Sequence, residues 1–328
     1  MTSRRKLLIA LGAGAFGAPL CCFGQLQAKV WRVGFLQAGP PPPDGLPPSA
    51  LRKALEELGY VQGKNVQYEG RWAGGNTSRI PELAVELAQS HVDLIVAMGW
   101  PAAQGIKNAT SSIPIVSAFA GDPVGTGLVT SLSHPGGNLT GIADMAVELA
   151  AKRMELLKET VPKASRIAVL WNQADLGMTS RYREIDRAAH TLGVTVQAHG
   201  VVQPADFETA FAAMVRERPD AIFMISDALT TANRQRVIDF ADTHRIPAMF
   251  EFSVNVESGG LMSYGPSVDD TFRRMALYVD RILKGAKPGE LPMEQPRRFY
   301  LFLNQKAARA ISIKIPDSIL LRADKVIE

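Results

Sequence analysis

Cysteine is nearly absent from this chain. There are two, Cys21 and Cys22, adjacent and close to the start. If the start is a cleaved leader, the remainder has no disulfide, no thiol nucleophile and no thiolate metal site. Charge of one sign is also lacking. Thirty-six Lys and Arg face 32 Asp and Glu. Without Arg4, Arg5 and Lys6 the basic count falls to 33, a net of +1, so there is no electrostatic footprint for nucleic acid. No apolar run beyond the first residues reaches the length that spans a bilayer. Catalytic signatures are missing too: no G-x-S-x-G elbow, no H-E-x-x-H, no Walker A loop. The five histidines (91, 134, 190, 199 and 244) have no metal-ligand spacing. Neither a cofactor nor a metal is called for. Gly12-Ala13-Gly14-Ala15-Phe16-Gly17 fits G-x-G-x-x-G, but no strand precedes it, so the dinucleotide reading fails.

What is present begins with an export signal, expected over residues 1–28. Arg4-Arg5-Lys6 is a charged n-region, and Leu7–Leu20 an apolar run of 14 residues. Ser3-Arg4-Arg5-Lys6-Leu7-Leu8 also suits a twin-arginine address, leaving the Sec and Tat routes both open. Ala18-Pro19-Leu20 is a poor lipobox, so lipidation is not expected. The expected location is the periplasm.

After the leader, short apolar runs alternate with longer amphipathic stretches, the signature of βαβ units and parallel sheets. Strands are expected at Trp31–Leu36, Val66–Glu69, Asp93–Met98, Pro114–Phe119 and Leu139–Ile142. Helices are expected at Ala50–Leu58, Ile80–Ser90 and from Pro101, with a short one at Gly127–Leu132. A second, similar series starts near Glu148: helix Leu149–Thr160, strand Ile167–Trp171, helix Ser180–Leu192, strand Val194–Ala198, helix Ala205–Glu217, strand Ala221–Ile225, helix Ala232–His244, strand Pro247–Phe250. The chain then returns through strand Leu261–Tyr264, helix Asp270–Lys284, strand Phe299–Asn304 and a turn at Lys306–Ile311. The fold class is α/β: two similar doubly wound parallel-sheet lobes joined by a hinge of about three crossings. Lobe one takes residues 29–143 plus 265–293, and lobe two 144–264 plus 294–328.

Ligands of open α/β sheets bind beyond the carboxyl ends of the strands. Lobe one presents Gln37 and Ala38, Gly99-Trp100-Pro101, and Asp122-Pro123 at those ends. Lobe two presents Asn172-Gln173, Ser226-Asp227, and Glu251-Phe252. N–H groups at a helix start attract anions, so Gly99–Ala103 suits a carboxylate. Asp122, Asp227 or Glu251 suits an ammonium, and Trp100, Phe252 and Tyr264 an apolar or cation–π wall. Capping and packing are the competing roles for each residue taken singly.

Several blocks together carry a family resemblance: Leu58-Gly59-Tyr60-Val61-Gln62-Gly63-Lys64-Asn65-Val66, Gly121-Asp122-Pro123-Val124, Pro135-Gly136-Gly137-Asn138-Leu139-Thr140-Gly141, Gly259–Gly265, and Leu321–Glu328. The chain resembles the tryptophan/aromatic-amino-acid-type substrate-binding proteins of ABC transporters, with the type I periplasmic binding fold. The resemblance implies an exported monomer that captures a small polar organic ligand, such as an amino acid, and hands it to a membrane permease. It departs from that family in a Pro-rich loop after the first strand and in Trp100, where a small residue is expected. The rival reading is a two-domain α/β enzyme using the same cleft. A DNA-binding regulator of the same fold is excluded, because a leader stands where a helix pair should be.

Overall fold

The strand Leu94–Met98 is buried along its whole length. Leu94, Val96 and Met98 enter one apolar cluster, and Ile95 and Ala97 the opposite one. A strand with apolar residues on both faces needs cover on both, and helices on either side of a parallel sheet supply it. The same alternation recurs at Arg166–Asn172. There Ile167, Val169 and Trp171 face one cluster, and Ala168 and Leu170 the other.

The structure is a computed structural model that describes residues 29–328, with the side chains of 146–148 excepted. The export signal expected at 1–28 lies outside the described residues. In chain order the strands are β1 (Trp31–Gln37), β2 (Val66–Trp72), β3 (Leu94–Met98), β4 (Ile115–Ala118), β5 (Leu139–Gly141), β6 (Arg166–Asn172), β7 (Thr195–Val201), β8 (Ala221–Met224), β9 (Ala248–Phe250), β10 (Met262–Gly265), β11 (Tyr300–Asn304) and β12 (Lys325–Ile327). The helices are α1 (Ser49–Glu57), α2 (Ile80–Gln89), α3 (Trp100–Ala109), α4 (Ala146–Thr160), α5 (Leu176–Thr191), α6 (Asp206–Glu217), α7 (Ala228–Ala232), α8 (Arg234–His244), α9 (Ser253–Glu257), α10 (Val268–Leu283), α11 (Gln305–Ala310) and α12 (Asp317–Leu320).

The first sheet runs β2-β1-β3-β4-β5, all parallel. The second runs β12-β11-β10-β9-β8-β6-β7. Its segment β7-β6-β8-β9-β10 repeats the first sheet's order, so the two halves share one topology. The second sheet departs from a purely parallel one at β10–β11, which pair antiparallel. Helix α10 returns to the first sheet, where Phe272, Met275, Ala276 and Val279 join the cluster built on Val33 and Phe35.

Three segments connect the lobes: between β5 and α4, between β10 and α10, and from Leu291 to β11. The first and third run side by side. Ala143 N–H donates to Glu294 O at 2.9 Å, and Glu294 N–H to Gly141 O at 3.1 Å.

Three expectations about elements need correction. No helix forms at Gly127–Leu132. The Asp122 carboxylate accepts the N–H groups of Val124 and Gly125, and Gly127 takes a positive φ of 75°, so tight turns replace it. The helix expected at Ala232–His244 forms as α8 from Arg234, and a short helix that was not expected, α7, precedes it across Asn233. Helix α5 starts four residues before the expected Ser180, because Asp175 caps it by accepting the Met178 N–H at 3.2 Å.

Candidate functional site

In both sheets the strand order reverses beside the first strand of the set, at β1/β3 and at β6/β8. A crevice opens at each such switch point. Here the two crevices face each other across one cleft, with a cavity of about 270 Å³ between them. From lobe one it is lined by Gln37, Ala38, Met98, Gly99, Pro101 and Phe119, with Val268 and Phe272 of α10. From lobe two come Asp175, Ser226, Asp227, Ala228, Thr231, Phe252 and Val254. No Lys, Arg or His stands among these residues.

The lobes meet around it. A methyl built on Gly121 would lie 3.2 Å from the Gly177 Cα, so the β4 loop rests on the start of α5. The rings of Phe119 and Phe252 cross the cleft edge to face, with centroids 5.6 Å apart. Phe119 also packs edge to face on Phe272 at 6.1 Å. Its φ of 57° is in the left-handed region, which costs a bulky side chain on the order of 1 kcal/mol or more. With that backbone the ring stands in the cavity lining.

The polar groups lie on lobe two. Asp227 caps α7 reciprocally with Thr230, accepting from its N–H at 2.8 Å and its hydroxyl at 3.0 Å. Its other oxygen accepts from Asn172 Nδ2 at 2.7 Å. Asp175 is 2% exposed, and its donors are the backbone N–H groups of Met178 and Gly177. Burial, and then the charge of Asp227, push its carboxyl up to about 7. Ser226 Oγ lines the cavity and is buried with no hydrogen-bond partner among the described residues. On lobe one, the first N–H groups of α3 have no partner within the helix. Gly99, its N-cap, opens that helix at the cavity wall.

Seven of the residues singled out from the sequence line this cavity: Gln37, Ala38, Gly99, Pro101, Ser226, Asp227 and Phe252. The others, Gln173 among them, do not. Asp122 is taken up by its own turn, and Pro123 is buried behind it. Trp100 lies against Gly177, its Cβ 3.3 Å from where a methyl there would be. Asn172 acts through Asp227. Tyr264 offers its carbonyl to Arg153 Nε at 2.7 Å. Glu251 is 1% exposed and holds two arginines, Arg153 and Arg181, each at 2.9 Å.

That last group is a buried network behind the site. Arg181 also pairs with Asp144, on the first crossing between the lobes. Glu251 Oε2 accepts the Ser226 N–H at 2.9 Å, which fixes the turn that presents Ser226 and Asp227. The network therefore joins the hinge to the cavity wall. Sequence reasoning passed over Asp175, Phe119 and Phe272. Asp175 had a visible signal, an Asp opening a helix directly after a strand end.

The family model of ABC transporter substrate binding proteins matches residues 48–327. A tyrosine-binding protein of Clostridioides difficile is 27% identical over 263 residues, 80% of this chain and 75% of that protein. The structure of an ABC domain in complex with L-Trp from Streptococcus pneumonia is 28% identical, with a TM-score of 0.83 over 91% of this chain and 100% of that one. The ligand-free, open structure of a substrate binding protein with adhesive properties from Clostridium difficile is 26% identical, with a TM-score of 0.62 over 91% and 99% of the two chains. These relatives bind solutes and are not enzymes, which removes the rival enzymatic reading. With its two lobes and the cavity between them, the chain belongs to the family of ABC transporter substrate binding proteins.

Proposed function

We propose that the protein captures an amino acid with an aromatic or large apolar side chain outside the cytoplasmic membrane and delivers it to an ABC permease. The observation that carries this reading is the division of the cavity. Two carboxylates, Asp175 and Asp227, stand on lobe two with no basic side chain in the lining, and three phenylalanine rings gather beside them. An ammonium placed between the carboxylates leaves neither charge unpaired on closure, which would otherwise be costly. The α3 N-terminus and Ser226 Oγ then suit the ligand's carboxylate. Phe119, Phe252, Phe272 and Met98 suit its side chain. The relatives that bind tyrosine and L-Trp support the same class.

The mobile units of this reading are residues 29–143 with 265–293, and 144–264 with 294–328. Gln37, Ala38, Gly99, Pro101, Asp227 and Phe252 are ligand contacts in it. Contacts across the cleft make the described state a closed one. The lower score against the open relative, at equal coverage and similar identity, agrees with a change of angle between conserved lobes. The protein is exported by its leader and acts as a monomer.

Thermal shift with a panel of free amino acids tests the reading, since a ligand of the folded state raises its melting temperature by mass action. Tryptophan, tyrosine and phenylalanine are expected to give the largest shifts. Glutamate or aspartate giving the largest shift would overturn it, as would the absence of any response to the aromatic three.

A further inference from the structure

The cavity holds two carboxylates that are not equivalent. Asp227 takes three donors, the Thr230 N–H and hydroxyl on one oxygen and Asn172 Nδ2 on the other. Asp175 meets only two backbone N–H groups, while an ionised carboxylate offers about four acceptor sites. It is buried in the cavity lining beside a second carboxylate, and among the described residues no basic side chain joins the lining. The charged groups around it are few. Arg181, on its own helix, attracts it, but that guanidinium is already held by Glu251 and Asp144. Asp227, from the β8–α7 turn, repels it. The residues that lobe one contributes to the lining include no titratable side chain. With the cavity empty, this surrounding favours the neutral acid at Asp175.

We infer that Asp175 is the specificity-determining residue for the ligand's charge and that it binds a cationic ligand in exchange for a proton. The exchange balances simply. The Asp175 carboxylic acid loses its proton to solvent, and the ligand's ammonium, already charged, takes its place against the carboxylate. Ligand capture is then weakened in acid, because the competent carboxylate is scarce before the ligand arrives. The inference deepens the amino-acid reading of the same cavity and rests on it.

Burial holds the free carboxyl up to about 7. At pH 5.5 about 3% of free protein would carry the ionised form, so apparent affinity should be about thirtyfold weaker than at pH 8. Calorimetry of L-tryptophan and L-tyrosine binding in two buffers of different ionisation enthalpy reads the exchange directly. Close to one proton should be released per ligand at pH 6, and about a tenth of one at pH 8. Asp175→Asn keeps an N-cap acceptor and should remove both the proton release and the pH dependence while weakening binding at pH 8. Tight binding without proton release by the unsubstituted protein at pH 6 would overturn the exchange and leave the amino-acid reading standing. No binding of either amino acid at any pH would overturn both. Equal proton release by Asp175→Asn would assign the proton to another group and reject Asp175.

Discussion

The two lobes share a strand order and differ in what they bring to the cleft. Lobe one offers amide, aliphatic and aromatic groups with the start of α3; lobe two offers both carboxylates and the unpartnered Ser226 hydroxyl. The contrast is sharpest at the corresponding strand ends. After β4, Asp122 caps its own turn within half-exposed backbone. After β9, Glu251 is sealed between two arginines. Topology sets where a ligand can sit. Which lobe grips its charge depends on a few residues in the loops, and on what is buried behind them.

The largest effect is expected from breaking the buried network. Glu251→Ala would leave Arg153 and Arg181 without their shared carboxylate, and removing one partner from such a set typically costs about 3–5 kcal/mol. Urea unfolding should show that loss, with a much smaller one for Asp122→Ala. Next comes the pH dependence of stability. Asp175 has a carboxyl raised from 3.8 to about 7 in the folded protein. A raised value means stability that is complete below the unfolded pKa and is lost as pH climbs through the folded one. Between pH 4 and 7 this single group should cost the ligand-free protein up to about 4 kcal/mol. Asp175→Asn should accordingly raise the melting temperature at pH 8 and change it little at pH 4.

A third expectation concerns the ligand's cation on lobe two. Asp227→Ala should weaken amino-acid binding by roughly thirtyfold or more, the usual result of removing one partner of a desolvated charge pair. Calorimetry checks it. Phe252→Leu should cost about 1 kcal/mol of binding, from the edge-to-face contact with Phe119 and the ligand's side chain. The smallest effect belongs to Asp122→Ala. It should cost about 1 kcal/mol of stability as lost turn hydrogen bonds and leave binding within a factor of two. A large binding loss there would erase the asymmetry between the lobes.

Much of this was legible in the sequence, because the signal was local. Leu94–Met98 and Ile167–Trp171 are apolar runs that only a doubly covered strand accommodates. The rule that ligands sit beyond the carboxyl ends of strands took Gln37, Gly99 and Asp227 to the cavity. The start of α5 was harder to read, since Gly177 in its first turn weakens the helical pattern while Asp175 supplies the cap. Glu251 was not legible as a structural ion. Its partners lie 98 and 70 residues away, and nothing in the local pattern marks them. Phe119 was read as the last residue of an ordinary strand. Its left-handed backbone arises from the loop it enters and the rings it meets.

The central claim is that lobe two reads a positive charge and the rings read an apolar body. The most direct measurement is calorimetry at pH 8 with three probes of one shape: L-tryptophan, tryptamine, which lacks the carboxylate, and indole-3-propionate, which lacks the ammonium. The account expects tryptophan to bind best, tryptamine to retain measurable affinity, and indole-3-propionate to lose binding, since it would confront Asp175 and Asp227 with a third negative charge and no cation. Binding of indole-3-propionate tighter than tryptamine would contradict it.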